Sequence, residues 1–241
     1  MQLDFLKSRR FVEEDMDNFS LQGKELESTI SGLSTINKYL GNTNVILNAL
    51  KPLIQFSNKP LRIVDLGCGG ANILRAIANY SAEIGKEVHL TGIDGNPNII
   101  ELAKVNTQVS PTFNFIASDI LHPNFVLPEC DILISTHFMY HFTDQELISF
   151  LSKHADKIHY KIILSELQRS VISYRGFQML GFILGFSKMI LSDGLKAISR
   201  SFRSKELVEI LNEARVGKYV IHWKWAFRYL VEVQIENHVV S

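Results

Sequence analysis

Gly67 and Gly69, in the stretch Val64-Asp-Leu-Gly-Cys-Gly-Gly70, have the types and spacing that bear most directly on chemistry. The apolar run Leu61-Arg-Ile-Val64 reads as a strand and the residues after Gly70 as a helix, so the chain turns on a glycine-rich loop. Without Cβ atoms at 67 and 69 a ligand can approach the backbone, and the turn aims amide N–H groups into the space beyond the strand. A nucleoside-bearing cofactor is implied. A dinucleotide fingerprint would need a further glycine at position 72, where the chain has Asn72. Asp94 closes the next apolar run, Glu87 to Ile93, where a carboxylate can accept two hydrogen bonds from a ribose diol.

His137 and His141 form the second group of reactive residues. They follow a fourth strand, Cys130 to Ser135, at the carboxyl edge where open α/β sheets bind ligands. An imidazole titrates near neutrality, so either residue is a candidate general base; the bland alternative is a ring that bonds backbone or packs on the cofactor. Their spacing could suggest a metal pair, but the zinc-protease pattern wants Glu after the first His, and the chain has Phe138. No metal is expected. Cys68 reads as a small apolar residue of the loop rather than a nucleophile.

Strands alternating with helices from position 58 onward predict a doubly wound, mostly parallel sheet. Asn96 and Pro97 supply a cap and a first helical residue for a helix that carries Ile99, Ile100, Ala103 and Val105 toward the core. Thr143 and Glu146 form a capping-box pair ahead of Leu147, Ile148 and Leu151, and Ser204 is placed as the cap of a later helix. Further strands are expected over Thr112–Ala117, Ile158–Ser165, Lys218–Trp223 and Phe227–Ile235, the last two as an antiparallel pair. In residues 1–57, Ile30, Leu33, Ile36 and Leu40 recur at helical spacing before a second pattern from Val45 to Leu53. These residues are expected to form an N-terminal helical cap on a single domain spanning 58–241. Within 169–203, the run Gly176 to Ser187 is apolar but too short, and too soon followed by Lys188, to span a bilayer. It reads either as a helix buried against the sheet or as a mobile lid over an apolar pocket.

The loop at 65–71 resembles motif I of the class I S-adenosylmethionine-dependent methyltransferases, with Asp65 as its acidic residue and Ala71 in the third glycine's place. Asp94 stands where the family has motif II, and Ser118-Asp119-Ile120 where it holds adenine. The resemblance therefore implies a Rossmann-like, seven-stranded sheet with an antiparallel C-terminal strand and helices on both faces, binding S-adenosyl-L-methionine. The cofactor would rest on Asp65, Gly67, Cys68 and Gly69, on Asp94, Gly95 and Asn96, on Ser118, Asp119 and Ile120, and on Thr136. Asp65 and Asp94 could otherwise be strand-end carboxylates binding loop amides, and Asp119 an ordinary turn residue. The resemblance also implies that the N-terminal helices and the 169–203 insertion close over the substrate. Glu166, Arg169 and Tyr174 are then substrate contacts, each with a structural helix-entry role as its alternative. Softer similarity, carried by Ser165-Glu-Leu-Gln-Arg-Ser170 and the aromatic segment, is to bacterial small-molecule methyltransferases of the ubiquinone-biosynthesis-like and polyketide-pathway groups.

Composition agrees with one enzyme of small-molecule type. The 241 residues are 46% apolar, and a formal net charge of zero argues against broad electrostatic binding to nucleic acid. Cys68 and Cys130 make no C-x-x-C pair, and no secretory signal is read at the N-terminus, which points to the reduced cytoplasm without stable membrane anchoring. The expected reaction is methyl transfer to a hydrophobic, aromatic or polyketide-like acceptor through a hydroxyl oxygen. Alternatives are a C- or N-methyltransferase, a nicotinamide-dependent oxidoreductase and a cofactor-binding protein without turnover. A homodimer is left open.

Overall fold

The computed structural model describes residues 4–12, 14, 32, 41–108 and 110–235. The Ile30 to Leu40 pattern lies outside the described residues. Helix α1 (Asn42–Phe56) precedes β1 (Leu61–Leu66), α2 (Asn72–Glu83), β2 (Val88–Asp94), α3 (Pro97–Asn106) and β3 (Phe113–Ala117). There follow β4 (Cys130–Thr136), α4 (Asp144–His154), β5 (Ile158–Leu167), α5 (Val171–Leu184) and α6 (Lys188–Arg200). The described chain closes with α7 (Ser204–Ala214), β6 (Gly217–Lys224) and β7 (Arg228–Ile235).

The strands form one seven-stranded sheet in the order β3-β2-β1-β4-β5-β7-β6. It is parallel from β3 to β5, and β7 runs antiparallel to both β5 and β6. Chain order reverses between β1 and β4, so the loops after these strands splay apart and leave a crevice at their carboxyl ends. β1 and β4 are covered on both faces, which is why they read as continuous apolar runs. One face is packed by Ile46, Leu50 and Ile54 of α1 with Leu74 and Ile77 of α2, and the other by Leu147 and Leu151 of α4 with Leu207 and Ile210 of α7.

The expected caps form with one shift. The Asn96 side chain accepts from the Asn98 N–H, and Thr143 and Glu146 close a reciprocal box. Ser204, however, is the first helical residue of α7, and the N–H of Arg203 donates to Glu206 in the capping position. Val105 is 72% exposed: it falls off the face of α3 on which Ile100 and Ala103 are buried. The 169–203 segment is a pair of helices in contact with each other, joined through Gly185, not a helix buried against the sheet. Phe182 at 89% exposure stands clear of the core. Among the described residues no helix is long and apolar enough to cross a membrane.

The N-terminal segment is tied to the site-bearing loops by Arg9. Its guanidinium donates to the carbonyls of Arg200, Tyr140 and Phe142, pairs with Asp144, and lies over the Phe202 ring.

At the opposite end of the sheet, Asp131 is buried at the start of β4. Burial alone would raise its carboxyl. The Arg62 backbone N–H, with the Arg62 and Lys59 side chains, outweighs that and holds it down at about 2. A depressed carboxyl stabilises the fold above its unfolded value and loses that contribution as pH falls through the folded one. Asp131→Asn should therefore cost about 2 kcal/mol at pH 7 by urea denaturation, the deficit shrinking between about pH 4 and pH 2. A constant deficit across that window would show that ionisation is not what matters.

Candidate functional site

The loop after β1 takes its shape from glycine. Gly67, at φ 69°, and Cys68 donate their N–H groups to the Ile93 carbonyl, which folds the loop back over the end of β2. A Cβ at Gly67 would overlap the ring of Phe138, whereas the space above Gly69 is open. The Gly69 N–H donates to Asp94 Oδ2 at 3.2 Å, and Asp94 Oδ1 accepts from the Asn96 N–H at 3.0 Å. Asp65 is buried behind this loop, and its Oδ1 has no hydrogen-bond partner among the described residues. Burial and the neighbouring Asp94 push the Asp65 carboxyl well up; burial raises Asp94 too, against the pull of the Asn96 and Gly69 amides and of His141. Cys68 is a buried thiol pushed well up by desolvation, as suits a packing residue.

These groups line one end of a continuous cavity of about 1310 Å³. Its edge is completed by Gly95, Asn96, Ser118, Asp119, Ile120 and Thr136. Ser118 is held by its N–H on the Asp94 carbonyl, while Asp119 Oδ1 accepts the Leu121 N–H and so also caps its own turn. Every residue expected at the cofactor therefore faces the same space.

The loop after β4 carries both histidines to the cavity wall. His137 has φ 51° and donates its backbone N–H to the Ser165 carbonyl. Its Nε2 is buried and unpartnered among the described residues; desolvation and the positive charge of Arg228 bring its pKa down to about 3. His137 is thus neutral and a weak base. His141 ends a short 3₁₀ turn, stacked on Tyr140 at 4.5 Å between ring centroids and tilted against Phe138.

Three expected substrate contacts lie elsewhere. Glu166 is fully buried beneath the loop, where it accepts from the N–H groups of Phe138 and Met139 at 3.3 and 3.1 Å. Desolvation raises it to about 8 in spite of those bonds and of Arg9. It supports the loop and does not line the cavity. Arg169 turns its guanidinium away, to the Leu6 and Ser201 carbonyls and Glu206. Tyr174 sets its ring edge-on to Phe5 at 5.4 Å, on the flank of α5 away from the cavity. The residues that do line the outer part include Ile172, Gly176, Phe177, Leu180 and Ile183 of α5, with Gly194 and Ile198 of α6 and Phe227 before β7. Glu14, Asn42 and Thr43 reach it from the N-terminal side. The recurrence of 172, 176, 180 and 183 at helical spacing was the available signal for the α5 wall.

S-adenosylmethionine fits this donor set. Gly69 leaves open space over the backbone, Asp65 and Asp94 are desolvated carboxylates that a cationic ligand relieves, and Asp119 and Ile120 flank the far side.

Residues 57–172 match the profile of the family described as "Methyltransferase domain". No curated protein sequence matches the chain. Among solved structures, the plantazolicin methyltransferase BamL, in complex with a triazolic desmethylPZN analog and SAH, is similar at a TM-score of 0.65 and 15% identity, covering 87% of this chain and 90% of that one. Its counterpart BpumL, with a pentazolic analog and SAH, gives 0.63 at 17% identity over 87% and 91% of the two chains. Magnesium protoporphyrin IX methyltransferase (ChlM) from Synechocystis PCC 6803 with bound SAH gives 0.57 at 13% identity over 82% and 84%. Residues 57–172, which carry the glycine loop, Asp94 and strands β1 to β5, form a methyltransferase domain.

Proposed function

We propose that this protein transfers the methyl group of S-adenosylmethionine to a hydroxyl oxygen of a hydrophobic small molecule. The observation that carries the reading is the single cavity, which joins the glycine loop and Asp94 at one end to the apolar α5–α6 wall at the other. Small-molecule analogs bound to BamL and BpumL support an acceptor of that kind. The cofactor, when bound, supplies a methyl group already activated on a sulfonium sulfur.

The chain's own residues hold, orient and deprotonate. Asp65, Gly69 and Asp94 fix the donor end, and the outer lobe excludes water from the acceptor; such alignment can remove about 7–11 kcal/mol from a barrier. A hydroxyl that accepted the methyl group would have to give up its proton. His141 takes it, because His137, at about 3, is too weak a base for that work. Glu166 contributes by pinning Phe138 and Met139, the residues on which His141 rides.

Calorimetry should detect S-adenosylhomocysteine binding to the intact protein, and its absence would sink the proposal. Asp94→Ala, which removes charge-assisted hydrogen bonds of about 1.5–3 kcal/mol, should weaken that binding by about 10- to 100-fold. Gly67→Ala combines about 1–2 kcal/mol of left-handed strain with the overlap on Phe138, so it should destabilise the fold and abolish cofactor binding. Wild-type affinity in that variant would remove the loop from the site. His141→Ala should bind the cofactor normally yet transfer labelled methyl about 10²–10⁴-fold more slowly to any acceptor the wild type accepts. Full turnover would refute the assignment of His141 as base.

A further inference from the structure

Glycines on both helices of the outer lobe face aromatic rings, but in different ways. Gly194 of α6 lies beneath the Phe177 ring of α5 so closely that a Cβ there would overlap the ring atoms. Gly176 of α5 faces Phe227, and a Cβ at 176 would stand 3.5 Å from the ring, an ordinary van der Waals distance. All four residues line the cavity. Neither glycine has a positive φ, and both sit inside helices where alanine is the better helix former. Backbone conformation therefore does not require glycine at 194; the Phe177 ring does.

The Phe177 ring has a second neighbour, an aromatic one. Phe186 lies 5.7 Å from it between centroids, held by its N–H on the Gly181 carbonyl and packed above Gly181. A methyl group at 194 would have to displace the Phe177 ring, which lines the cavity.

We propose that Phe177, lying back over Gly194, sets the width of the outer lobe and thereby the bulk of the acceptor that is methylated. Phe177 is a specificity-determining residue, and Gly194 is what permits its position. The inference rests on reading this lobe as the acceptor site.

The test is calorimetric titration of the protein saturated with S-adenosylhomocysteine, using 4-ethylphenol as a narrow probe and 4-tert-butylphenol as a wide one. Gly194→Ala should weaken the wide phenol by about tenfold and leave the narrow one and the cofactor product unchanged. Phe177→Trp, which enlarges the ring itself and leaves the α6 sequence unchanged, should do the same even if the alanine variant folds poorly. Phe177→Leu combined with Gly194→Ala should restore the wide probe, and Phe182→Ala, on the exposed side of α5 outside the cavity, should bind both phenols as the wild type does. Wild-type affinity for the wide probe in both narrowing variants overturns the proposal, as does failure of the double variant to recover it. A wild type that binds S-adenosylhomocysteine but neither phenol also overturns it, whereas one that does not bind S-adenosylhomocysteine removes the proposed function itself.

Discussion

The ring of Phe138 rests on the backbone of Gly67, and the geometry of the site follows from that contact. Gly67 belongs to the loop after β1 and Phe138 to the loop after β4, the strands on either side of the point where chain order reverses. A side chain at 67 would force these loops apart. With hydrogen there, the first loop can fold onto Ile93 while the second brings His141 to the same cavity. Glu166 holds the partner side, since its carboxylate binds the amides of Phe138 and Met139 from below.

The arrangement places several polar groups where water cannot solvate them. Asp65 and Glu166 are buried and His137 half-buried, each has a buried atom without a hydrogen-bond partner among the described residues, and each is displaced from its ordinary titration range toward its neutral form. Such groups cost stability unless something at the site answers them. For Asp65, beside Asp94, a cationic ligand in the cavity would do so. His137 instead stays neutral beside Arg228, which separates it chemically from His141 although the two lie four residues apart.

Much of this was legible because the signals are local. The glycine spacing, the Asp94 strand end and the Thr143–Glu146 box depend on residues close in sequence; the box closes as expected, and Asp94 accepts from the Gly69 and Asn96 amides, the alternative to a ribose diol. The alternating pattern likewise foretold the sheet and its antiparallel last strand. Arg169, Tyr174 and Glu166 were misplaced because their directions are set at long range. Leu6, Ser201 and Glu206 draw Arg169 away, Phe5 draws Tyr174, and the amides of the β4 loop capture Glu166. Position at a strand end or helix entry does not reveal which neighbour a long side chain will meet. The Phe177–Gly194 contact was equally hidden, since it pairs residues on different helices.

The position of β7 between β5 and β6 ties the completeness of the cavity to chain synthesis. β5 pairs with β7 over Lys161 to Leu167, so its outer edge stays open until residues 228–235 have been made and have threaded in beside it. Trp225 and Phe227, which wall the cavity, ride on the turn leading into that strand. A nascent chain can thus carry the whole glycine loop and Asp94 and still lack the wall that Trp225 and Phe227 give the outer lobe. The groups at the glycine-loop end are encoded early in the chain, whereas the outer lobe is completed by the last strand to emerge among the described residues.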